Sequence, residues 1–290
     1  MNSLCLFSSY FESGEIPYYI RFYLLELKKH CTKLVFITNE KVLPDTSRLF
    51  LQDHGIDCLL VLNEGYDFGM WSKGLDEYPP GTYDTLLLIN DSCILLRNLD
   101  AVFEQIGRRE FDYCGLLDSK ELSYHIQSYF LAFSGPAIPV LQTYLKSQGI
   151  QLGMKEVVYR YEVGLAKYLI GQGLRVGALY PRFDSGKGDV NAAYVGITEL
   201  IAAGFPLIKK KLLFDSFSLA ERKNLLRKHV KTGYRYYLKF IAQTVRVPDA
   251  VDLSLLKEDQ KRYSSPKSRK FLDSLFIFAY GVLRALAGRK

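Results

Sequence analysis

The chain has 290 residues, 48% hydrophobic and 24% charged, which is enough for one large core with an appendage and excludes a disordered or collagen-like polymer. Five scattered cysteines without CxxC spacing argue against a disulfide framework or a structural zinc site and fit a reducing cytoplasm. The net charge of +7 is uneven: residues 205–290 hold roughly 20 Lys/Arg against 7 Asp/Glu, so the tail is near +13 and the body near −6.

A basic tail suits nucleic acid, anionic lipid or a solvated helical face. No recognised nucleic-acid module accompanies it, so a nucleic-acid partner is not expected. The N-terminus lacks a basic segment followed by an apolar one, so export is not expected either. The uncharged run Ile126 to Leu145 is broken by Ser134-Gly135-Pro136 and by Pro139, which predicts strand, turn and helix instead of a membrane span.

In chain order, Ser3 to Ser9 reads as a strand and Tyr18 to His30, opened by Pro17, as a helix. Lys33 to Thr38, Asp45 to His54 and Asp57 to Leu62 then repeat strand, helix, strand. The loop Asn63-Glu64-Gly65-Tyr66-Asp67-Phe68-Gly69 follows, with a helix from about Met70 to Glu77. Its glycines let backbone approach a nucleotide or simply make a turn.

Next, Tyr83 to Ile89 is an apolar strand that runs into Asn90-Asp91-Ser92. A strand covered on both faces opens its polar residues at the carboxyl end, where α/β proteins present ligand-binding groups. Beyond it the pattern predicts a helix over Leu99 to Ile106 capped by Asn98, strands over Phe111 to Leu117 and His125 to Phe133, and a helix from Pro136 to Gln148. A helix over Lys155 to Ile170 and a strand over Leu174 to Tyr180 complete the alternation. The whole predicts a mostly parallel α/β sheet with helices on both faces. From Val195 onward the pattern is helical, ending in an apolar segment, 271–286, flanked by basic residues. That segment is expected to lie at a membrane interface, or to pack on the α/β domain or on the second subunit of a homodimer.

Several segments occur together in order: NEGYDFGMW (Asn63 to Trp71), LLLINDS (Leu86 to Ser92), GLLDS (Gly115 to Ser119), HIQSYFLAF (His125 to Phe133), YEVGLAKYL (Tyr161 to Leu169) and GFPLIKKKLL (Gly204 to Leu213). With them the chain resembles the rhamnan synthesis protein F family, glycosyltransferase-like proteins of bacterial surface polysaccharide assembly. The resemblance implies a GT-A-like nucleotide-sugar-binding domain over 1–204 and a basic helical region over 205–290. It also implies a donor diphosphate at the carboxyl end of the central strands.

Many GT-A enzymes hold a divalent cation there with Asp-x-Asp. Here the triplet is Asn90-Asp91-Ser92, with Asp91 as the one carboxylate for Mg²⁺ or Mn²⁺, unless lysines replace the metal. Lys209 is the first candidate for that replacement, with Lys210 or Lys211 as substitutes. The resemblance further implies donor contacts from Asn63, Gly65, Asp67, Asn90 and Ser92, with Tyr66 or Phe68 available to stack on the base and Trp71 in the core. Glu162 is the expected general base of an inverting transfer, with Asp118 as the second candidate. His125, Gln127 and Ser128 are the expected acceptor contacts, His125 also being a metal-ligand candidate.

The expected function is a hexosyltransferase for O-antigen or other cell-wall polysaccharide. It would move rhamnose from dTDP-rhamnose to a lipid-linked saccharide, in the cytoplasm at the inner face of the plasma membrane. A non-catalytic scaffold of the same fold is the alternative.

Overall fold

The computed structural model describes residues 2–11, 15–39, 43–62, 64–120, 122–180 and 196–210. The first half runs β1 (Ser3–Ser9), α1 (Tyr18–Lys28), β2 (Lys33–Thr38), α2 (Asp45–Asp53), β3 (Asp57–Leu60), α3 (Tyr66–Glu77), β4 (Thr85–Asn90), β5 (Cys93–Leu95) and α4 (Asp100–Gly107). Then come β6 (Tyr113–Gly115), β7 (Asp118–Ser119), β8 (His125–Ile126), β9 (Phe130–Ser134) and α5 (Ala137–Gln148). The last described elements are α6 (Met154–Glu156), a π-helical stretch (Val157–Val163), α7 (Gly164–Gly171), β10 (Val176–Ala178), α8 (Ile197–Ala202) and β11 (Leu207–Lys209).

Seven strands form one sheet in the order β10-β6-β9-β4-β1-β2-β3. All neighbouring pairs are parallel except those of β9, which is antiparallel to β4 and to β6. The mostly parallel α/β sheet is therefore the one the alternation predicts. The chain leaves β1 toward β2 and β3, then returns to place β4 on the other side of β1. Such a reversal is where open α/β sheets place their ligand sites, here at the carboxyl ends of β1 and β4.

Both central strands are buried along their whole length, and their side chains alternate between two cores. Cys5, Phe7, Leu87 and Ile89 face one core with α1, α2, α4 and α8. Leu4, Leu6, Leu86 and Leu88 face the other with α3, α5 and α7. The run Ile126 to Leu145 is divided among β8, β9 and α5, and among the described residues no helix is long and apolar enough to cross a membrane.

Some elements differ from expectation for identifiable reasons. β3 is an edge strand with alternating exposure, so Leu60 and Leu62 face outward and the pairing stops at Leu60. His125 to Phe133 is two strands: β8 pairs with β7 in a separate ribbon, and only β9 enters the main sheet. Leu207 to Lys209 leaves the expected helical pattern to pair antiparallel with β5, burying Phe205, Leu207 and Ile208. The α/β body thus extends past residue 204 to at least Lys210. The apolar segment 271–286, expected as a helix, lies outside the described residues.

The N-terminus of α4 is not capped by Asn98; the Leu99 N–H instead donates to Glu26 Oε1 at 3.0 Å. Glu26 is fully buried on α1 and also pairs with Lys29 at 2.6 Å and His30 at 3.6 Å. Burial pushes its carboxyl up, and the bonds from His30, Lys29 and Leu99 outweigh this, holding it down at about 2. Because the folded-state value is depressed, this stability is present above about pH 4.5 and is lost as pH falls toward 2. Glu26→Gln keeps the shape and the Leu99 bond, so we expect it to cost about 1–2 kcal/mol at pH 7. The difference should vanish toward pH 2 in urea unfolding curves.

Candidate functional site

The two-face alternation of the strands continues into their polar ends. In the β1–β4 register Ser8 lies opposite Asn90, and both point to the α3 side. There Asp67, in the first turn of α3, accepts from Ser8 Oγ at 3.1 Å on Oδ1 and from Asn90 Nδ2 at 2.7 Å on Oδ2. Asn90 Oδ1 accepts in turn from the Ser92 hydroxyl at 2.6 Å and its backbone N–H at 3.1 Å, which closes the turn after β4.

Ser9 and Asp91 point to the opposite side, toward α1. Asp91 Oδ2 accepts from Ser9 Oγ at 3.0 Å, from the Tyr19 hydroxyl at 3.4 Å and from Lys210 Nζ at 3.1 Å. Lys210 reaches it because β11 pairs with β5 and the Lys210 N–H donates to Ser92 O at 2.9 Å.

The third carboxylate, Glu162, comes from the π-helical stretch. Tyr144 donates its hydroxyl to the Arg160 carbonyl, so the Gly164 N–H bonds Tyr159 O five residues back. Glycine at 164 leaves room for this contact, since a Cβ there would lie 2.4 Å from the Tyr144 hydroxyl and displace it. The widened turn presents Glu162, whose Oε1 accepts from Ser128 Oγ at 2.7 Å.

Asp67 senses the other two carboxylates. Burial is the largest cause of its shift, followed by Asp91; the Ser8 and Asn90 bonds oppose it and Glu162 adds to it, and the carboxyl titrates at about 7. Asp91 and Glu162 thus both lie within electrostatic reach of Asp67.

Other sequence-predicted residues have different surroundings. Lys209 lies opposite Cys93 with its ammonium 5.5 Å from the Tyr129 ring centre, so the lysine on Asp91 is Lys210. Lys211 and Asn63 lie outside the described residues. Asp118 stands on the β7–β8 ribbon opposite Ile126. His125 is buried in the same ribbon with Nδ1 2.8 Å from Ser123 O, which gives it a local structural role. Gln127 is buried, and Ser128 reaches Glu162.

Helix α3 begins at Tyr66, four residues earlier than its sequence suggests. Gly65, at φ +77°, and Tyr66, at φ +55°, make a left-handed entry to it. Gly65 packs against Ile150 and Gln151, where a Cβ would meet atoms at 2.9 and 3.3 Å. Phe68 is buried, stacked on Tyr161 at 4.8 Å and edge-on to Trp71, so Tyr66, 41% exposed, is the ring left to stack on a base. Trp71 is core, donating Nε1–H to Ile89 O at 3.3 Å.

Sequence reasoning did not single out Ser8, Ser9 or Tyr19. The two serines repeat, after Leu4 to Phe7, the apolar-then-polar ending that marks Asn90 and Asp91, and that signal could have found them. Tyr19 lies inside an ordinary helical pattern and carries none.

The residues present give a protein-held divalent cation little purchase at Asp91: its Oδ2 already carries an ammonium and two hydroxyls, both Asp67 oxygens are engaged, and an ion would be left with Asp91 Oδ1. Among the described residues, the one His/carboxylate group whose ligand atoms lie within 4.8 Å of one another is Glu26, His30 and Asp100. It sits roughly 10 Å further along α1 than Tyr19 and already holds Lys29.

Residues 34–277, well over half of the chain, match the family model described as Rhamnan synthesis protein F. The chain belongs to this family. A curated relative, Virulence protein VirA of Vibrio anguillarum (strain ATCC 68554 / 775), is 29% identical over 189 residues, covering 53% of this chain. The family member described here spans 61% of the length of that relative. Among solved structures, the glycosyltransferase GlyE of Streptococcus pneumoniae TIGR4 covers 84% of this chain and 64% of its own, at 14% identity and a TM-score of 0.46. A cytidylyltransferase from Leptospira borgpetersenii serovar Hardjo-bovis (strain JB197) covers 85% and 96%, at 10% identity and 0.39. At these identities and TM-scores the site is argued from this chain's own residues.

Proposed function

We propose that the protein is a glycosyltransferase that moves a sugar from a nucleotide-sugar donor to a saccharide hydroxyl with inversion. The observation that carries this is that Asp91 and Glu162 both lie within electrostatic reach of Asp67 at the reversal of strand order, in a member of the rhamnan synthesis protein F family. The donor lies across the carboxyl ends of β1 and β4, with its diphosphate by the turn after β4 and its base against Tyr66. Glu162, oriented by Ser128, takes the proton of the acceptor hydroxyl as that oxygen bonds to the anomeric carbon. The bond from that carbon to the phosphate oxygen breaks, and the nucleoside diphosphate leaves with the electron pair.

The family suggests rhamnose from dTDP-rhamnose as the first donor to test and a lipid-linked saccharide as the acceptor. The basic region 205–290 suits the inner face of the plasma membrane, with segment 271–286 held at the surface or in a homodimer. One observation favours a non-catalytic scaffold: the triplet Asn90-Asp91-Ser92 carries a single carboxylate.

The test is a panel of nucleotide-sugars, with and without EDTA, followed by nucleotide release. Turnover of one donor supports the enzyme, and its loss in Asp91→Ala with an unchanged circular dichroism spectrum excludes the scaffold. No turnover or binding of any donor overturns the enzyme reading.

A further inference from the structure

We infer that Lys210 is the protein's own cation for the donor diphosphate, and that donor binding requires no divalent metal. This rests on the donor site proposed above and adds what neutralises the phosphates in it.

The Asp91–Lys210 pair is enclosed, with both side chains 12% exposed. Lys210 Nζ lies 3.1 Å from Asp91 Oδ2 and 2.9 Å from the Tyr19 hydroxyl, which itself donates to Asp91. A Mg²⁺ ion would need an Asp91 oxygen at about 2.0–2.1 Å in near-octahedral surroundings. At Oδ2 it would have to displace the ammonium, because two cations on one oxygen repel strongly in an enclosed site.

Strand pairing, not a surface loop, delivers the ammonium. Lys209 is in register with Cys93, and the next N–H is bonded to Ser92 O in the turn after β4. A charge held this way is in place before the diphosphate arrives, the arrangement that stabilises a leaving group without reorganisation. Lys209 and Lys210 both act electrostatically on the Cys93 thiol, as does Asp91. Two ammonium groups therefore stand beside Asp91 at this corner, and of the two it is Lys210 that bonds it. The Asn90 and Ser92 side chains, where an Asp-x-Asp would place its two carboxylates, are neutral and bonded to each other. When donor binds, a phosphate oxygen replaces the Tyr19 hydroxyl on Lys210, and Asp91 remains as the group that positions the ammonium.

Calorimetric titration of the full chain tests this, first with Mn²⁺ alone and then with dTDP and UDP in EDTA and in Mn²⁺. The expected result is no stoichiometric Mn²⁺ uptake by the free protein and a nucleotide affinity that changes less than about twofold between the two buffers. Lys210→Met should weaken that affinity at least about tenfold, and Lys210→Arg should restore most of it. Because Lys210→Met leaves Asp91 unpaired, the double variant Asp91→Asn with Lys210→Met supplies a folded comparison, and it should bind as weakly. Nucleotide binding that is lost in EDTA and regained with Mn²⁺, or unchanged in Lys210→Met, overturns the inference while leaving the donor site standing. Absence of nucleotide binding in both buffers overturns the donor site and the inference together.

Discussion

Glu162→Gln is expected to lower turnover about 10²- to 10⁴-fold with little change in donor affinity. The substitution keeps the volume of the side chain, and the amide oxygen still accepts from Ser128 Oγ, so the π-helical stretch and its Tyr144 contact have no reason to move. What is lost is the ability to take a proton from the acceptor hydroxyl. A loss confined to kcat, with an unchanged melting temperature, marks a group that acts only in the transition state. Ser128→Ala removes the bond that orients the carboxylate and should give a smaller loss in the same parameter. Wild-type turnover in Glu162→Gln would move the base elsewhere, with Asp118 the first alternative.

The second large effect concerns stability. Asp67→Asn should stabilise the fold by about 2–3 kcal/mol at pH 8. Burial, then Asp91, and more weakly Glu162, raise the Asp67 carboxyl from 3.8 to about 7, so the folded protein disfavours its charged form. Between those values the unfolded chain ionises freely while the folded one resists, and stability falls as pH rises from about 4 to about 7. The side chain retains some exposure, which reduces the effect below what the full shift implies.

Asparagine removes the charge and still fits the bonds. Its carbonyl can face Asn90 Nδ2, while its amide donates to Ser8 Oγ and the Ser8 hydroxyl turns to Ile89 O, now 3.5 Å away. Thermal unfolding at several pH values checks this: the gain should grow from pH 5 to pH 8 and disappear below pH 4. A uniform loss of stability would show instead that the Asp67 charge supports the fold. A gain in stability accompanied by a loss of turnover is what a strained functional carboxylate predicts.

The fold was legible where one physical signal dominated. The fully apolar interiors of β1 and β4 mark central strands of a parallel sheet, and their abrupt polar endings mark the site. The start of α3 was not legible, because Gly65 and Gly69 read as loop residues. In the structure Gly69 lies within the helix, and a Cβ there would stand 1.7 Å from Glu64 O. That glycine answers to the close passage of the preceding chain, which nothing local in the sequence reveals.

Likewise, His125 to Phe133 shows one apolar pattern although its two halves join different sheets, since pairing partners are non-local. The site was legible in its carboxylates and obscured in its cation. Asp67, Asp91 and Glu162 lie within recognisable segments. Lys210 meets Asp91 at a sequence separation of 119 and is brought there by the pairing of β11 with β5 and by its own N–H bond to Ser92 O. Lys209 ends β11 and Lys210 follows it, and the run Lys209-Lys210-Lys211 alone does not say which lysine turns to Asp91.

The most direct measurement is a crystal structure of the protein with a nucleoside diphosphate bound in the presence of EDTA. The diphosphate is predicted at the carboxyl ends of β1 and β4, with an oxygen within hydrogen-bonding distance of Lys210 Nζ and the acceptor side open to Glu162. A nucleotide bound away from these carboxyl ends would contradict the account.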